Sequence, residues 1–217
     1  MIIRKPLPEI SYFFSDWSGV WSDDRYPVYC AHKKLWKEYN IPEISFEEWK
    51  KDIPGTFAEE IKRCDIAEDF GVLFDKYANY FKEVANGGIL PEIYTGALDT
   101  IKFLKSKNMK IIIISSHPNE SLVTEIDRYG IGNYIDQKFG SIHNKKDGLL
   151  KISKNMNANP SYALYIGDTK QDVKSAKDAN IHSVAICHGY HGREILENTD
   201  FDVLVEDLSE LRNGLFL

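Results

Sequence analysis

Three stretches of the sequence close apolar runs with residues that can do acid, base or metal chemistry. The first reads Phe13-Phe14-Ser15-Asp16-Trp17-Ser18-Gly19-Val20. The second reads Ile113-Ile114-Ser115-Ser116-His117-Pro118, and the third Tyr165-Ile166-Gly167-Asp168-Thr169-Lys170-Gln171-Asp172. A short apolar run that ends in small or acidic residues reads as a buried strand emptying into a loop. If the three strands are parallel, their carboxyl ends open on one crevice. Asp16 and Asp168 then converge there. Two carboxylates and a backbone carbonyl make a hard-oxygen site suited to Mg²⁺.

The rest of the chain supplies elements able to hold such a crevice. Residues 10–18 carry the first strand signal, through Ile10, Tyr12, Phe13 and Phe14. From about 25 to 88 the texture is helical and charged. Within it Phe70, Leu73, Phe74, Tyr77, Phe81 and Val84 mark one helix face over 69–85, and Gly87-Gly88 ends that helix. From 96 onward strands and helices alternate. Helices are predicted over 97–107, 120–129, 146–156 and 170–179. Strands are predicted over 110–114, 134–139, 162–166, 183–187 and 202–205, with a short helix at the end. Alternation of this kind gives an α/β fold, a Rossmann-like parallel sheet with helices on both faces. The expected organisation is a core of 1–24 and 90–217 with a small all-helical cap, 25–89, inserted after the first strand. An insertion at the carboxyl end of a strand is placed to act as a lid.

Composition narrows the partners. The formal net charge is −6, spread along 217 residues, which argues against a nucleic-acid footprint. No apolar run approaches the length of a membrane span. Cys30, Cys64 and Cys187 are odd in number and widely spaced, so a reducing, cytoplasmic setting is expected. The first residues lack the apolar stretch of a signal peptide.

The three stretches, taken in order, resemble the haloacid dehalogenase-like hydrolase superfamily, in the phosphoglycolate phosphatase-like branch with a small helical cap. Gly167-Asp168-Thr169-Lys170-Gln171-Asp172 resembles that family's GDxxxD motif, and Tyr94-Thr95-Gly96 its re-entry from cap to core. The resemblance implies a Mg²⁺-dependent phosphatase acting on a small phosphorylated metabolite, as a monomer or homodimer. It makes Asp16 the nucleophile, forming an aspartyl-phosphate. It puts the metal on Asp16, the backbone carbonyl of Ser18 and Asp168, with Asp172 holding metal-bound water. Ser115 becomes the hydroxyl donor to a phosphoryl oxygen, with Ser116 and Gly19 beside it. Lys145, or its neighbour Lys146, becomes the cation that anchors Asp16 and neutralises the phosphoryl group.

One position departs from the pattern. The family's phosphatases read Asp-x-Asp-Gly-Thr, whereas this chain reads Asp16-Trp17-Ser18-Gly19-Val20. The second aspartate is the family's general acid and base. A serine hydroxyl is too weak an acid for that task, and losing such a group costs about 10²–10⁴ in rate. Three readings follow. In a slow or specialised phosphatase, water, His117, the substrate or a cap residue supplies the proton. A carbon–phosphorus bond hydrolase similar to phosphonoacetaldehyde hydrolase would need a cap lysine, and Lys50, Lys51 and Lys62 are available. A binding or regulatory protein would keep the pocket and lose turnover. Trp17 and Trp21 flank the nucleophile and are expected at the substrate mouth. His188 and His191 lie in a loop near the crevice.

Overall fold

The unbroken aliphatic run Ile111–Ile114 has no polar face to offer water, so it must be covered on both sides. In the computed structural model, which describes residues 1–214, it forms an interior strand of a seven-stranded sheet, one place in from the edge. The strands are β1 (Ile2–Ile3), β2 (Tyr12–Ser15), β3 (Ser22–Asp23), β4 (Glu92–Ile93), β5 (Lys110–Ile114), β6 (Gln137–Phe139), β7 (Ala163–Gly167), β8 (His182–Ile186) and β9 (Val203–Val205). The sheet order is β1-β9-β8-β7-β2-β5-β6, with β3 and β4 forming a separate pair. Every neighbour is parallel except β1, which pairs antiparallel with β9. A two-residue strand such as β1 carries no periodicity, and the sequence gives no sign of it.

Contacts divide the chain into two units. One is Met1–Ser22 with Ile93–Leu217, and the other is Asp23–Glu92. In the first unit the alternation of β2 explains the layering. Phe13 packs with Ile111, Ile113, Leu164 and Ile166 on one face, against helices α5 (Ala97–Ser106), α6 (Asn119–Arg128) and α10 (Leu208–Gly214). Phe14 packs with Ile112, Ile114 and Tyr165 on the other, against α7 (Lys145–Asn155) and α8 (Lys170–Asp178). The register sets the crevice. Ser15 lies opposite Ile113 on one side and Ile166 on the other, so Asp16 leaves the sheet level with the ends of β5 and β7. The chain steps from β2 to neighbours on both sides, which is the switch point where open α/β sheets bind ligands.

The second unit consists of α1 (Arg25–Glu38), α2 (Phe46–Lys51), α3 (Phe57–Arg63) and α4 (Phe70–Asn86). A capping box closes the start of α2, with Ser45 and Glu48 as reciprocal partners. Trp36, Trp49, Phe74, Tyr77 and Phe81 are buried in this unit. His32 lies among Trp36, Trp49, Phe57 and Tyr77, and its Nδ1 is buried with no hydrogen-bond partner. Burial pushes its imidazole down to about 4, with Glu60 working the other way. Because this lies below the unfolded value of about 6.5, the unfolded chain takes up the proton first. The stabilisation from neutral His32 is full above about pH 6.5 and is lost as pH falls toward 4. Wild type is expected to lose roughly 3 kcal/mol relative to His32→Leu across that window. Denaturant midpoints measured against pH check this, and parallel curves for the two proteins would refute it.

Among the described residues no helix is long and apolar enough to cross a membrane.

Candidate active site

The loop after β2 is a tight turn built on one carbonyl. Trp17 O accepts from the amides of Val20, Trp21 and Ser22 at 3.2, 3.0 and 3.3 Å. Gly19 sits at φ +71°, and a Cβ there would lie 1.9 Å from Oδ2 of Asp168, so only glycine lets the two loops close on each other. The Gly19 amide donates to Ser22 O at 2.9 Å. That amide is therefore engaged within the turn. The turn aims Asp16 into the crevice, and the Trp17 amide donates to its Oδ1 at 2.7 Å.

Asp16, Asp168 and Asp172 lie together, with one carboxylate oxygen from each within 4.8 Å of the others. Lys145 enters from the first turn of α7 and pairs with Asp16 and, at 2.5 Å, with Asp172. Lys146 is exposed, so the helix phase settles which lysine faces the carboxylates. Ser115, fully buried at the end of β5, hydrogen-bonds Asp16. Ser116 is half-buried beside it.

The three acids are not equivalent. Asp172 caps α8 and is saturated. Its Oδ1 accepts from Lys145 and Tyr165 Oη, and its Oδ2 from the amide and hydroxyl of Thr169. Such a group anchors Lys145 and fits an outer position. Asp168 accepts from the Tyr190 amide at 2.6 Å. Burial, then Asp172 and Asp16, push the Asp168 carboxyl well above the usual range. Burial likewise raises Asp16, although Lys145 pulls it back. Burial opposes the charge on Lys145, but the two carboxylates outweigh it and raise its pKa. Three carboxylates against one ammonium leave two formal negative charges in a buried site. That imbalance, and an all-oxygen donor set, fit a hard divalent cation.

A second chain of polar groups runs behind the first. Ser18 Oγ lies 3.3 Å from His117 Nδ1, and His117 Nε2 lies 2.8 Å from Glu125 Oε1. Glu125 also accepts from Trp17 Nε1 at 2.7 Å and Ser22 Oγ at 3.0 Å. Burial disfavours its charge, but His117 and these donors outweigh that and hold the carboxyl below its ordinary value. Glu125 has no role in the sequence pattern. The available signal was its phase, since it shares the inward face of α6 with Leu122 and Ile126.

Two expectations about aromatics and histidines change. Trp17 and Trp21 are fully buried. Trp17 stacks on Tyr129 and serves Glu125, while Trp21 donates to Ser15 Oγ at 2.7 Å, so neither lines a mouth. His191 is structural, with its Nδ1 accepting from the Lys170 amide at 3.0 Å. His188 stacks on Tyr94 and bonds Val20 O through Nε2 at 3.2 Å. Lys50, Lys51 and Lys62 are exposed, which is not the desolvated setting a Schiff-base amine requires.

Known proteins share this arrangement of strands and helices. Phosphoglycolate phosphatase 1 of Pseudomonas aeruginosa is 30% identical over 140 residues, covering 62% of this chain and 51% of that protein. Phosphoglycolate phosphatase of Escherichia coli K12 is 27% identical over 150 residues, covering 67% and 58%. The chain thus spans little more than half the length of these relatives. A crystal structure described as a predicted phosphatase from Clostridium acetobutylicum superposes with a TM-score of 0.85 at 21% identity, over 95% of this chain and 98% of that one. A haloacid dehalogenase-like family hydrolase from Streptococcus pneumoniae gives 0.80 at 21% identity, over 93% and 96%. These two establish the fold alone. Residues 16–186 match the family described as haloacid dehalogenase-like hydrolase, and the chain belongs to that family.

Proposed function

We propose that this chain is a Mg²⁺-dependent phosphatase of small phosphorylated metabolites, with Asp16 as nucleophile. The observation that carries the reading is the setting of Asp16. Its carboxylate is buried, held by Lys145, Ser115 and the Trp17 amide, and set within metal-sharing distance of Asp168. Asp16, Asp168 and the backbone carbonyl of Ser18 would hold Mg²⁺, with Asp172 in the outer position; when bound, the cation offsets negative charge on the carboxylates and the phosphoryl group.

The chain's own groups divide the remaining work. Asp16 attacks phosphorus in line and forms an aspartyl-phosphate. Lys145 keeps Asp16 in place and presents positive charge where the phosphoryl oxygens gather. Ser115 donates a hydrogen bond to that group, with Ser116 at its side. Water then attacks phosphorus and frees Asp16. The helical unit Asp23–Glu92 is assigned as a substrate-selecting cap from its place in the chain.

Phosphate release from acetyl phosphate and a panel of phosphate monoesters tests the reading. Release is expected with Mg²⁺, loss with EDTA, and recovery when Mg²⁺ is restored. Release that ignores EDTA, or no release from any of them, would overturn it.

A further inference from the structure

Breaking the ester bond requires a proton for the departing oxygen, and Lys145, Tyr165 and Asp172 beside Asp16 are already engaged with one another. Lys145 is committed between two carboxylates, Asp16 and Asp172. The Tyr165 hydroxyl is fully buried and turned to Ile114 O and Asp172 Oδ1. Asp172 accepts hydrogen bonds on both oxygens. The hydroxyl two residues beyond the nucleophile, on the same turn, is that of Ser18, and it is tied to an imidazole.

We propose that Ser18, His117 and Glu125 form a proton relay that takes the place of a carboxylic general acid and base. This rests on the phosphoryl-transfer reading above. Geometry carries it. Ser18 Oγ, His117 Nδ1, His117 Nε2 and Glu125 Oε1 form one chain, with links of 3.3 and 2.8 Å. Its inner end is fixed twice, because Trp17 Nε1 and Ser22 Oγ also donate to Glu125 Oε2. Its outer end is tied to the phosphoryl site, because Ser115 Oγ contacts Asp16 and accepts from the His117 amide at 3.2 Å. Both imidazole nitrogens are engaged, and the carboxylate behind them accepts three side-chain hydrogen bonds, which fixes the ring's orientation toward Ser18.

As the Asp16 oxygen bonds to phosphorus, the phosphorus–oxygen bond to the leaving group breaks. Its electron pair goes to the leaving oxygen, which takes the Ser18 hydroxyl proton. His117 Nδ1 replaces that proton on Ser18 and becomes neutral, with Nε2–H still donated to Glu125. In the second half-reaction water attacks phosphorus and gives a proton to Ser18 Oγ, whose own proton returns to Nδ1. Phosphate leaves and the Asp16 carboxylate is restored. Ser18 is the catalytic residue here, and His117 and Glu125 are positioning residues that act through it.

The test is the dependence of rate on the leaving group. A proton donor matters little for acetyl phosphate and 4-nitrophenyl phosphate, and much for phenyl phosphate and glycerol phosphate. His117→Gln and Ser18→Ala are each expected to lower kcat/KM by about 10²–10³-fold on the poor leaving groups, and by roughly 10-fold or less on the activated ones. Ser18→Asp in the His117→Gln background is expected to recover most of the phenyl phosphate rate. Nitrogen NMR of labelled histidine is expected to show a hydrogen-bonded Nε2–H that changes in Glu125→Gln. Equal losses on all four substrates, or no loss, would overturn the relay and leave the phosphatase reading standing. If His117→Gln fails to fold, Ser18→Ala decides the same question from the other end of the hydrogen bond. A wild-type protein that releases phosphate from none of the four overturns both.

Discussion

Asp16→Asn is expected to lower phosphate release by about 10⁴- to 10⁶-fold, the usual scale for losing an attacking group. It is also expected to leave the protein as stable as wild type, or more stable, when EDTA is present. Both expectations follow from one arrangement. Asp16 is a buried carboxylate crowded by Asp168 and Asp172, and burial together with Asp172 works against its charge. An amide of the same shape removes that repulsion and keeps a hydrogen-bonding partner for the Trp17 amide. Lys145 keeps Asp172 as its counter-charge. Loss of activity with gain or retention of stability is the mark of a residue kept for chemistry. Turnover assays and melting curves on the same preparation check it. A variant that is inactive because it has unfolded would contradict the account.

Lys145→Met is expected to fail in both respects. Lys145 is the ammonium paired with Asp16 and Asp172. Removing one partner of a buried ion pair leaves uncompensated charge and costs about 3–5 kcal/mol. Activity is expected to fall with it, because Asp16 loses its anchor. Added Mg²⁺ is expected to restore part of the stability by binding the same carboxylates in the folded state. Lys146→Met is the control. That side chain is exposed, and its replacement is expected to change stability by less than about 0.5 kcal/mol. Denaturant midpoints for the two variants settle the matter, and equal effects would contradict the placement of Lys145.

The sequence reveals those parts of the molecule whose physics is local. The run Lys110–Ile114 is apolar without alternation, and it is a strand buried on both faces. Helix α4 shows its apolar face at helical spacing, and its observed span, Phe70–Asn86, differs from the reading by one residue at each end. Asp16, Ser115 and Asp168 are brought together because strand ends in a parallel sheet share a level, which sequence pattern can express, and Lys145 reaches them from the first turn of α7.

What the sequence hides depends on side-chain direction. Trp17 and Trp21 stand next to the nucleophile in the chain, yet both turn into the core, because the bend at Gly19 folds the loop back on itself. Glu125 reads as a solvated helix acid until the phase of α6 buries it behind His117. Lys145 and Lys146 are chemically the same, and only the start of α7 tells them apart. The short strands β1, β3 and β4 have too few residues to show a period.

The most direct measurement is to trap the phosphoryl group on the protein. The enzyme is mixed with acetyl phosphate and Mg²⁺, quenched in acid within a turnover, and reduced with borohydride, which converts an aspartyl-phosphate to homoserine. Peptide mass analysis is expected to find homoserine at position 16 and unmodified aspartate at 168 and 172. Phosphate release with no reduction product at position 16, or with the phosphoryl group on another side chain, would contradict the assignment of Asp16 as the nucleophile.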